Sequence, residues 1–315
     1  MKLSVIVPAF KLAPYIHECL ISILAQKTNF EFEVIVCDDA SPDNTIDVIN
    51  YFKAAFNNLI VLENEKNLGL VGTMAKLLEA ANGEYIAYLD GDDVALPGKL
   101  QQQVDYLNQH PNCNMVYHES DVFDDLTGRQ LRLFSQHYYN ADYVPLQSDI
   151  THLIKYSVYL QASSIMFRRH NHLLDALKHG NSIICDFPWH IMNAGFLGGT
   201  IDRIDQVLGR YRIHAQSFGG QTQTNHVRRV QVANEMANAC TLGRNFDVSP
   251  DVITLGRNHI FFSTALYFLK LGEDKFFTEM INLSVQNELF FDDRHRLAFT
   301  NRAMPSQVRT ELGFS

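Results

Sequence analysis

The stretch Gly83-Glu84-Tyr85-Ile86-Ala87-Tyr88-Leu89-Asp90-Gly91-Asp92-Asp93 decides how this chain folds. Glu84 to Leu89 has the apolar content of a buried strand. It runs straight into three carboxylates within four residues, and a helix-like stretch opens just beyond, at Pro97. Like charges this close repel, and a divalent cation is the simplest way to neutralise them. Mg²⁺ and Mn²⁺ typically take one or two protein carboxylates and complete their shells with phosphate oxygens and water. The strand end is therefore a candidate metal–diphosphate site. The competing reading is an acidic turn whose Asp93 caps the next helix, and the run alone leaves both open.

Upstream, Leu3 to Val7 is a short β-branched run that Pro8 ends. Tyr15 to Gln26 places Ile16, Leu20, Ile23 and Leu24 at helical spacing. Phe32 to Cys37 predicts a second buried strand that stops at Asp38-Asp39, and Ser41-Pro42-Asp43-Asn44 opens a helix through about Phe56. Leu59 to Leu62 reads as a strand, Asn67-Leu68-Gly69 as a turn and Val71 to Ala81 as a helix. The alternation predicts an α/β fold, a parallel sheet with helices on both faces. Ligands in such sheets bind beyond the carboxyl ends of the strands. Pro8 to Lys11, Asp38-Asp39 and Asp90 to Asp93 then converge on one edge, which favours a site over a bare turn.

Downstream the pattern changes. Asn114 to Phe123 and Arg129 to Phe134 read as strands joined by the turn Asp125-Leu126-Thr127-Gly128. Ser163 to Phe167 predicts a further strand and His170 to Lys178 a helix. Asp186 to Phe196 reads as a helix opening on Asp186-Phe187-Pro188-Trp189. Thr200 to Ile204 and Val207 to Ile213 read as two strands. A stretch rich in Gly, Gln, Ser and Thr near 215–222 marks the boundary of a C-terminal helical region, giving a catalytic domain over 1–215 (halves 1–112 and 113–215) and helices over 216–315.

Composition narrows the function. The 315 residues are 46% hydrophobic and 19% charged, which suits a globular protein with a sizeable core. A formal charge of −9 argues against an extended nucleic-acid footprint. The five cysteines form no Cys-x-x-Cys pair and read as reduced thiols of a cytoplasmic protein. The apolar run of Met1 to Pro8 is too short for a signal peptide core, and no apolar stretch approaches the ~18 residues of a membrane span. Peripheral contact with a membrane surface stays open.

Here the residues carry a resemblance. Ser4-Val5-Ile6-Val7-Pro8-Ala9-Phe10, Val36 to Thr45, Asn67-Leu68-Gly69, Gly83 to Asp93 and Tyr211-Arg212-Ile213-His214, in this order and spacing, resemble glycosyltransferase family 2 over about residues 1–215. These are nucleotide-sugar-dependent inverting enzymes of the GT-A fold, a Rossmann-like, mostly parallel sheet flanked by helices. The resemblance implies that Pro8 and Phe10 belong to the loop holding the nucleotide base, that Asp39 accepts from the uracil N3–H, and that Asn67, in the Asn67-Leu68-Gly69 turn, also binds the nucleotide sugar. A carboxylate is acceptor-only, which suits a donating base edge. It implies Asp92 as the metal ligand, Asp90 near the ribose or a metal-bound water, Asp93 as an acid behind the metal ligand or a helix cap, Arg212 at the diphosphate or else as a structural ion-pair partner, and His214 as a further metal ligand or phosphate donor. The cofactor implied is Mn²⁺ or Mg²⁺, with imidazole favouring Mn²⁺. Asp186 resembles the general base, although Cys185 precedes it where relatives often carry Glu-Asp.

The chain departs from the family where many relatives carry Ala-Arg-Asn after the Asn-x-Gly turn. Thr73-Met74-Ala75 stand here, leaving Lys66 or Lys76 to supply the charge. The resemblance implies transfer of a sugar from a UDP-sugar donor to a glycan or glycolipid acceptor, as in surface polysaccharide or lipopolysaccharide synthesis. The alternative is a catalytically inactive nucleotide-sugar-binding or scaffolding subunit. A sugar-phosphate nucleotidyltransferase is disfavoured, because Pro8-Ala9-Phe10-Lys11 holds no glycine for a phosphate loop. Trp189 can stack on a sugar or fill core. The apolar C-terminal stripes can pack on the catalytic domain, pair with a second copy in a homodimer, or meet a membrane.

Overall fold

β1 (Leu3–Ala9) is buried along its whole length, with Leu3, Val5 and Val7 entering one core and Ile6 the other. Such two-sided burial requires helices on both faces. In this computed structural model, which describes residues 1–137, 141–157, 159–180 and 183–314, β1 pairs in parallel with β2 (Phe32–Asp38) and β4 (Tyr85–Tyr88), and β2 pairs in parallel with β3 (Leu59–Glu63). The first four expected strands thus form as read. β1 continues past Pro8, whose ring still fits its ladder position.

The remaining strands are β5 (Val94–Ala95), β6 (Cys113–Asp124), β7 (Gln130–Leu133), β8 (Gln147–Ser148), β9 (Met166–Arg168) and β10 (Thr200–Ile213). The sheet order is β3-β2-β1-β4-β9-β6-β10-β5, with β7 on β6 and β8 on β10. β9 is antiparallel to both β4 and β6, so β6 and β10 run in the same sense as β4. The carboxyl ends of β1, β2, β4, β6 and β10 and the amino end of β9 therefore share one edge of a mixed sheet. The two strands expected over 200–213 are one. Asp205 and Gln206 leave the ladder between Ile204 and Val207, and both are exposed.

Helices Ile16–Leu24, Thr45–Lys53 and Lys99–Gln109 bury Leu20, Ile49 and Leu100 against one face. Gly69–Ala80 and Asp186–Leu197 cover the other, through Leu77 and Ile191. Trp189 is buried there, edge-on to Phe167 at 5.5 Å, so it fills core and presents no face to a sugar.

The helices beyond residue 217 form an outer layer on that second face. Pro250–Leu271 buries Phe261, Phe262 and Phe268 in the same cluster as Ile6 and Trp189. Its backbone reaches that of helix Ile150–Tyr156 closely: a Cβ on Gly256 would lie 2.3 Å from the Ile154 carbonyl oxygen. Phe276 stacks on Phe268 at 4.8 Å and Phe291 on His259 at 4.3 Å, so the paired phenylalanines contribute to internal packing. Among the described residues no helix is long and apolar enough to cross a membrane.

Candidate active site

The shared sheet edge gathers the acidic run. Asp90 follows β4 by two residues and sits below Tyr88, whose hydroxyl donates to Asp90 Oδ1. Ser163, from the segment entering β9, accepts from the Asp90 backbone N–H at 2.9 Å and donates to Asp93 Oδ2 at 2.6 Å. Gln161 Nε2 donates to the same Asp93 oxygen at 2.8 Å, and the Arg212 backbone N–H donates to Asp93 Oδ1 at 3.0 Å. Asp93 is thus the buried rivet that joins the acidic run to β10 and to the 161–163 segment. It does not cap the next helix, where Gly98, with φ at 88°, holds the N-cap position.

Crowding shows in the acidities. Burial, then the Asp92 charge, pushes the Asp90 carboxyl up to about 7. The same two causes hold Asp93 well above the usual carboxylate range. Beneath them lies a cation the sequence did not announce. Lys99 is buried and its Nζ donates to Gln103 Oε1 at 3.0 Å and to the Ser163 carbonyl at 3.0 Å, with His118 Nε2 at 2.8 Å. Burial brings its ammonium down to about 7, against the opposing pull of Asp93.

Asp92 is only partly covered and faces β10. Its Oδ2 lies 3.0 Å from His214 Nε2, and the His214 ring packs on Tyr15 at 4.4 Å. Arg212 is spent on structure. Its Nε donates to the Asp92 carbonyl at 2.8 Å, while its terminal nitrogens pair with Asp125 at 2.8 Å and with Glu18. The predicted diphosphate residue is therefore the strut under the acidic run.

Asp39, at the end of β2, accepts at Oδ1 from Asn64 Nδ2 and the Leu68 N–H, both at 2.7 Å, and at Oδ2 from the Gly69 N–H at 2.9 Å. Asn67 Nδ2 donates to the Asp39 carbonyl at 3.3 Å. Three acceptances leave one of about four lone-pair positions open on the carboxylate. Asp38, not Asp39, caps the following loop, through the Ser41 N–H at 2.9 Å. Pro8 is buried in β1 and Phe10 exposed beyond it. Thr73 and Met74 are buried, while Lys66 is exposed.

Asp186 begins its helix and its carboxyl is pushed up by burial, with its own and the Phe187 backbone N–H groups opposing. With Asp90 it lines a cleft of about 340 Å³ that runs beneath the C-terminal helices. The Asp186 charge also acts on Asp90. Asp92, His214 and Asp39 lie outside this cleft lining. The edge therefore holds Asp92 with its His214 imidazole on one side and a carboxyl-lined cleft on the other.

A divalent cation fits the first of these. Asp92 and His214 offer one oxygen and one nitrogen 3.0 Å apart, and Asp90 and Asp93 are raised by burial and next by the Asp92 charge, which a cation would offset. Among the described residues no group of three or more His, Cys, Asp or Glu is arranged to hold a metal. Such a cation would rely on diphosphate oxygens and water for the rest of its shell. Tyr88 was readable in principle, since it lies two residues before Asp90 on one strand face. Ser163, Gln161 and Lys99 carried no local signal, because only the sheet order brings them here.

The chain matches the family model described as "Glycosyl transferase family 2" over residues 4–175, more than half its length. An uncharacterized protein of Mycobacterium tuberculosis is 28% identical over 228 residues, 71% of this chain and 62% of that protein. The Putative glycosyltransferase EpsE of Bacillus subtilis is 34% identical over 133 residues, 42% of this chain and 48% of that one. The chain thus spans less than two thirds of the length of these relatives. Among solved structures, S. aureus TarS 1-349 in complex with UDP-GlcNAc superposes with a TM-score of 0.63 at 20% identity, covering 99% of this chain and 88% of that one. The mannosyltransferase PcManGT from Pyrobaculum calidifontis, in complex with GDP-Man and Mn²⁺, gives 0.61 at 16% identity, covering 98% and 86%. These likenesses establish a shared fold, and with the matched residues and the gathered sheet edge they place the chain: it belongs to glycosyl transferase family 2.

Proposed function

We propose that this protein transfers a sugar from a uridine diphosphate sugar to a hydroxyl of a glycan acceptor with inversion, using Asp186 as general base. One observation carries the proposal: the Asp186 carboxyl, raised by burial, stands in a cleft that Asp90 of the acidic run also lines. In the reaction the acceptor oxygen bonds to the anomeric carbon as its proton passes to the Asp186 carboxylate. The bond from that carbon to the diphosphate oxygen breaks on the opposite side, and its electron pair leaves with the nucleoside diphosphate. A divalent cation held by Asp92 and His214 would supply charge neutralisation at the diphosphate. Arg212 keeps the acidic run in place, Ser163 and Tyr88 orient Asp90, and the open lone pair of Asp39 suits the uracil N3–H. Relatives named for teichuronic acid and poly(ribitol-phosphate) glycosylation support a cell-surface glycan as product, at the cytoplasmic face where nucleotide sugars are available.

The test is release of nucleoside diphosphate from a panel of UDP- and GDP-sugars with Mn²⁺ or Mg²⁺, repeated after chelation. Release from a UDP-sugar that chelation abolishes is expected. Because burial raises the Asp186 carboxyl, the rate should fall on acidification at a pH above the ordinary carboxylate range near 4. Release from GDP-sugars alone would overturn the uridine assignment, and release indifferent to chelation would overturn the metal.

A further inference from the structure

The cleft that carries Asp90 and Asp186 also carries two guanidinium groups that the proposed reaction does not use. Arg132 comes from β7 and Arg229 from helix His226–Ala239. Arg132 is half-buried, and its Nε is shut off from solvent without a hydrogen-bond partner among the described residues. Arg132 also takes part in no ion pair among those residues. The Arg229 guanidinium lies 3.4 Å over the Tyr267 ring, which fixes its plane.

Leaving a guanidinium N–H buried and unpaired is unfavourable, and its planar fork matches a carboxylate or phosphate. The rest of the lining suits the face and hydroxyls of a sugar. Phe134, Tyr211 and Phe218 are aromatic. The hydroxyls of Thr222, Ser263 and Thr264 each donate to a backbone carbonyl of their own helix and keep lone pairs to accept.

The chain carries a formal −9, and the cleft itself holds Asp90 and Asp186. Without the two arginines an anion would be repelled from it. The donor diphosphate belongs with Asp92 and His214, which lie outside this lining, so the unpaired Nε–H of Arg132 answers to a second anion, and Arg229 adds positive charge to the same lining. We propose that the acceptor carries an oxyanion, a phosphate ester or a carboxylate, seated on Arg132 in a lining to which Arg229 adds positive charge, while a hydroxyl of the same molecule meets Asp186. This rests on the proposed glycosyl transfer, since it names the acceptor of that reaction.

The test uses three probes that differ only at one carbon: methyl glucoside, its 6-phosphate and methyl glucuronide. Each is titrated calorimetrically into the protein with saturating UDP and Mn²⁺, so that the donor site is filled. At least one anionic probe should bind about tenfold or more tightly than the neutral one, and the two anionic arms tell phosphate from carboxylate. The preference should collapse in Arg132→Gln and survive in part in Arg132→Lys. It should also weaken with added salt in the wild-type protein, a readout that needs no variant to fold. Equal binding of all three probes, no binding of either anionic probe, or a preference unchanged in both Arg132→Gln and Arg229→Gln would overturn the oxyanion seat. A protein that turns over a UDP-sugar yet treats the probes alike loses only this inference. A protein that neither binds UDP nor turns over a UDP-sugar loses the glycosyl-transfer reading beneath it.

Discussion

Gly91 shows how tightly the acidic run is built. A Cβ there would lie 2.8 Å from Leu12 Cδ1 and 3.0 Å from the Pro8 carbonyl oxygen. The β1 backbone at Pro8 and the Leu12 side chain beyond it thus pack on the run after β4, and this contact fixes where Asp90 and Asp92 stand. Gly91→Ala should destabilise the protein by about 1–3 kcal/mol and reduce activity with it. Denaturant midpoints with an unchanged slope would measure the first effect; an unaltered midpoint would contradict the packing. Asp90 and Asp92 were legible because they adjoin in sequence, after an apolar strand. Asp93 was not, because its partners Gln161 and Ser163 are some seventy residues away and meet it only through β9. Arg212 was legible as a diphosphate residue or an ion-pair partner, but its partners Glu18 and Asp125 were not, since both lie far from it in the chain.

At the scale of elements, periodicity delivered the first half of the sheet and its helices to within a few residues. It did not deliver β5 or β8, which are two residues long and too short to carry a period. Nor did it reveal that β9 would enter between β4 and β6 against their direction, since strand order leaves no mark on local composition. One consequence lies under helix Lys99–Gln109. Lys99 is held at about 7 in the folded protein by burial, whereas an unfolded lysine titrates near 10.4. Between those values the unfolded chain binds a proton that the folded one lacks. This group therefore makes stability rise with pH across that window, and its burial penalty is present in full below it. Lys99→Met removes the dependence. The stability difference between variant and wild type should shift in favour of wild type as pH rises from about 6 to about 10. Unfolding curves at the two ends would show it, and a constant difference would contradict a buried, titrating Lys99.

For the whole molecule, the C-terminal helices and the sheet share one core, because Phe261 and Phe268 cluster with Ile6 and Trp189. The apolar stripes of those helices were visible in the sequence, but the surface they pack against was not. The boundary near 215–222 marks a change of composition across which the packing is continuous. Gly256 tests this at its closest point. In an ordinary helix interior Gly→Ala adds about 1 kcal/mol of stability. Here the new methyl would meet the Ile154 carbonyl at 2.3 Å, so Gly256→Ala should instead cost about 1–3 kcal/mol. A stabilised variant in thermal unfolding would mean that the two layers are not so closely joined. The join matters for function, because the cleft takes one wall from the sheet edge and another from Met236, Ile260 and Thr264 of the outer helices.

In the proposed reaction Asp186 takes the acceptor proton at this cleft. The direct measurement is the rate of sugar transfer by Asp186→Asn at saturating donor, beside its affinity for the donor nucleotide. The amide keeps the shape and cannot accept the proton, so kcat should fall by about 10²–10⁴-fold while nucleotide affinity stays within a few-fold. A variant that is folded, binds nucleotide and transfers sugar at the wild-type rate would contradict the assignment.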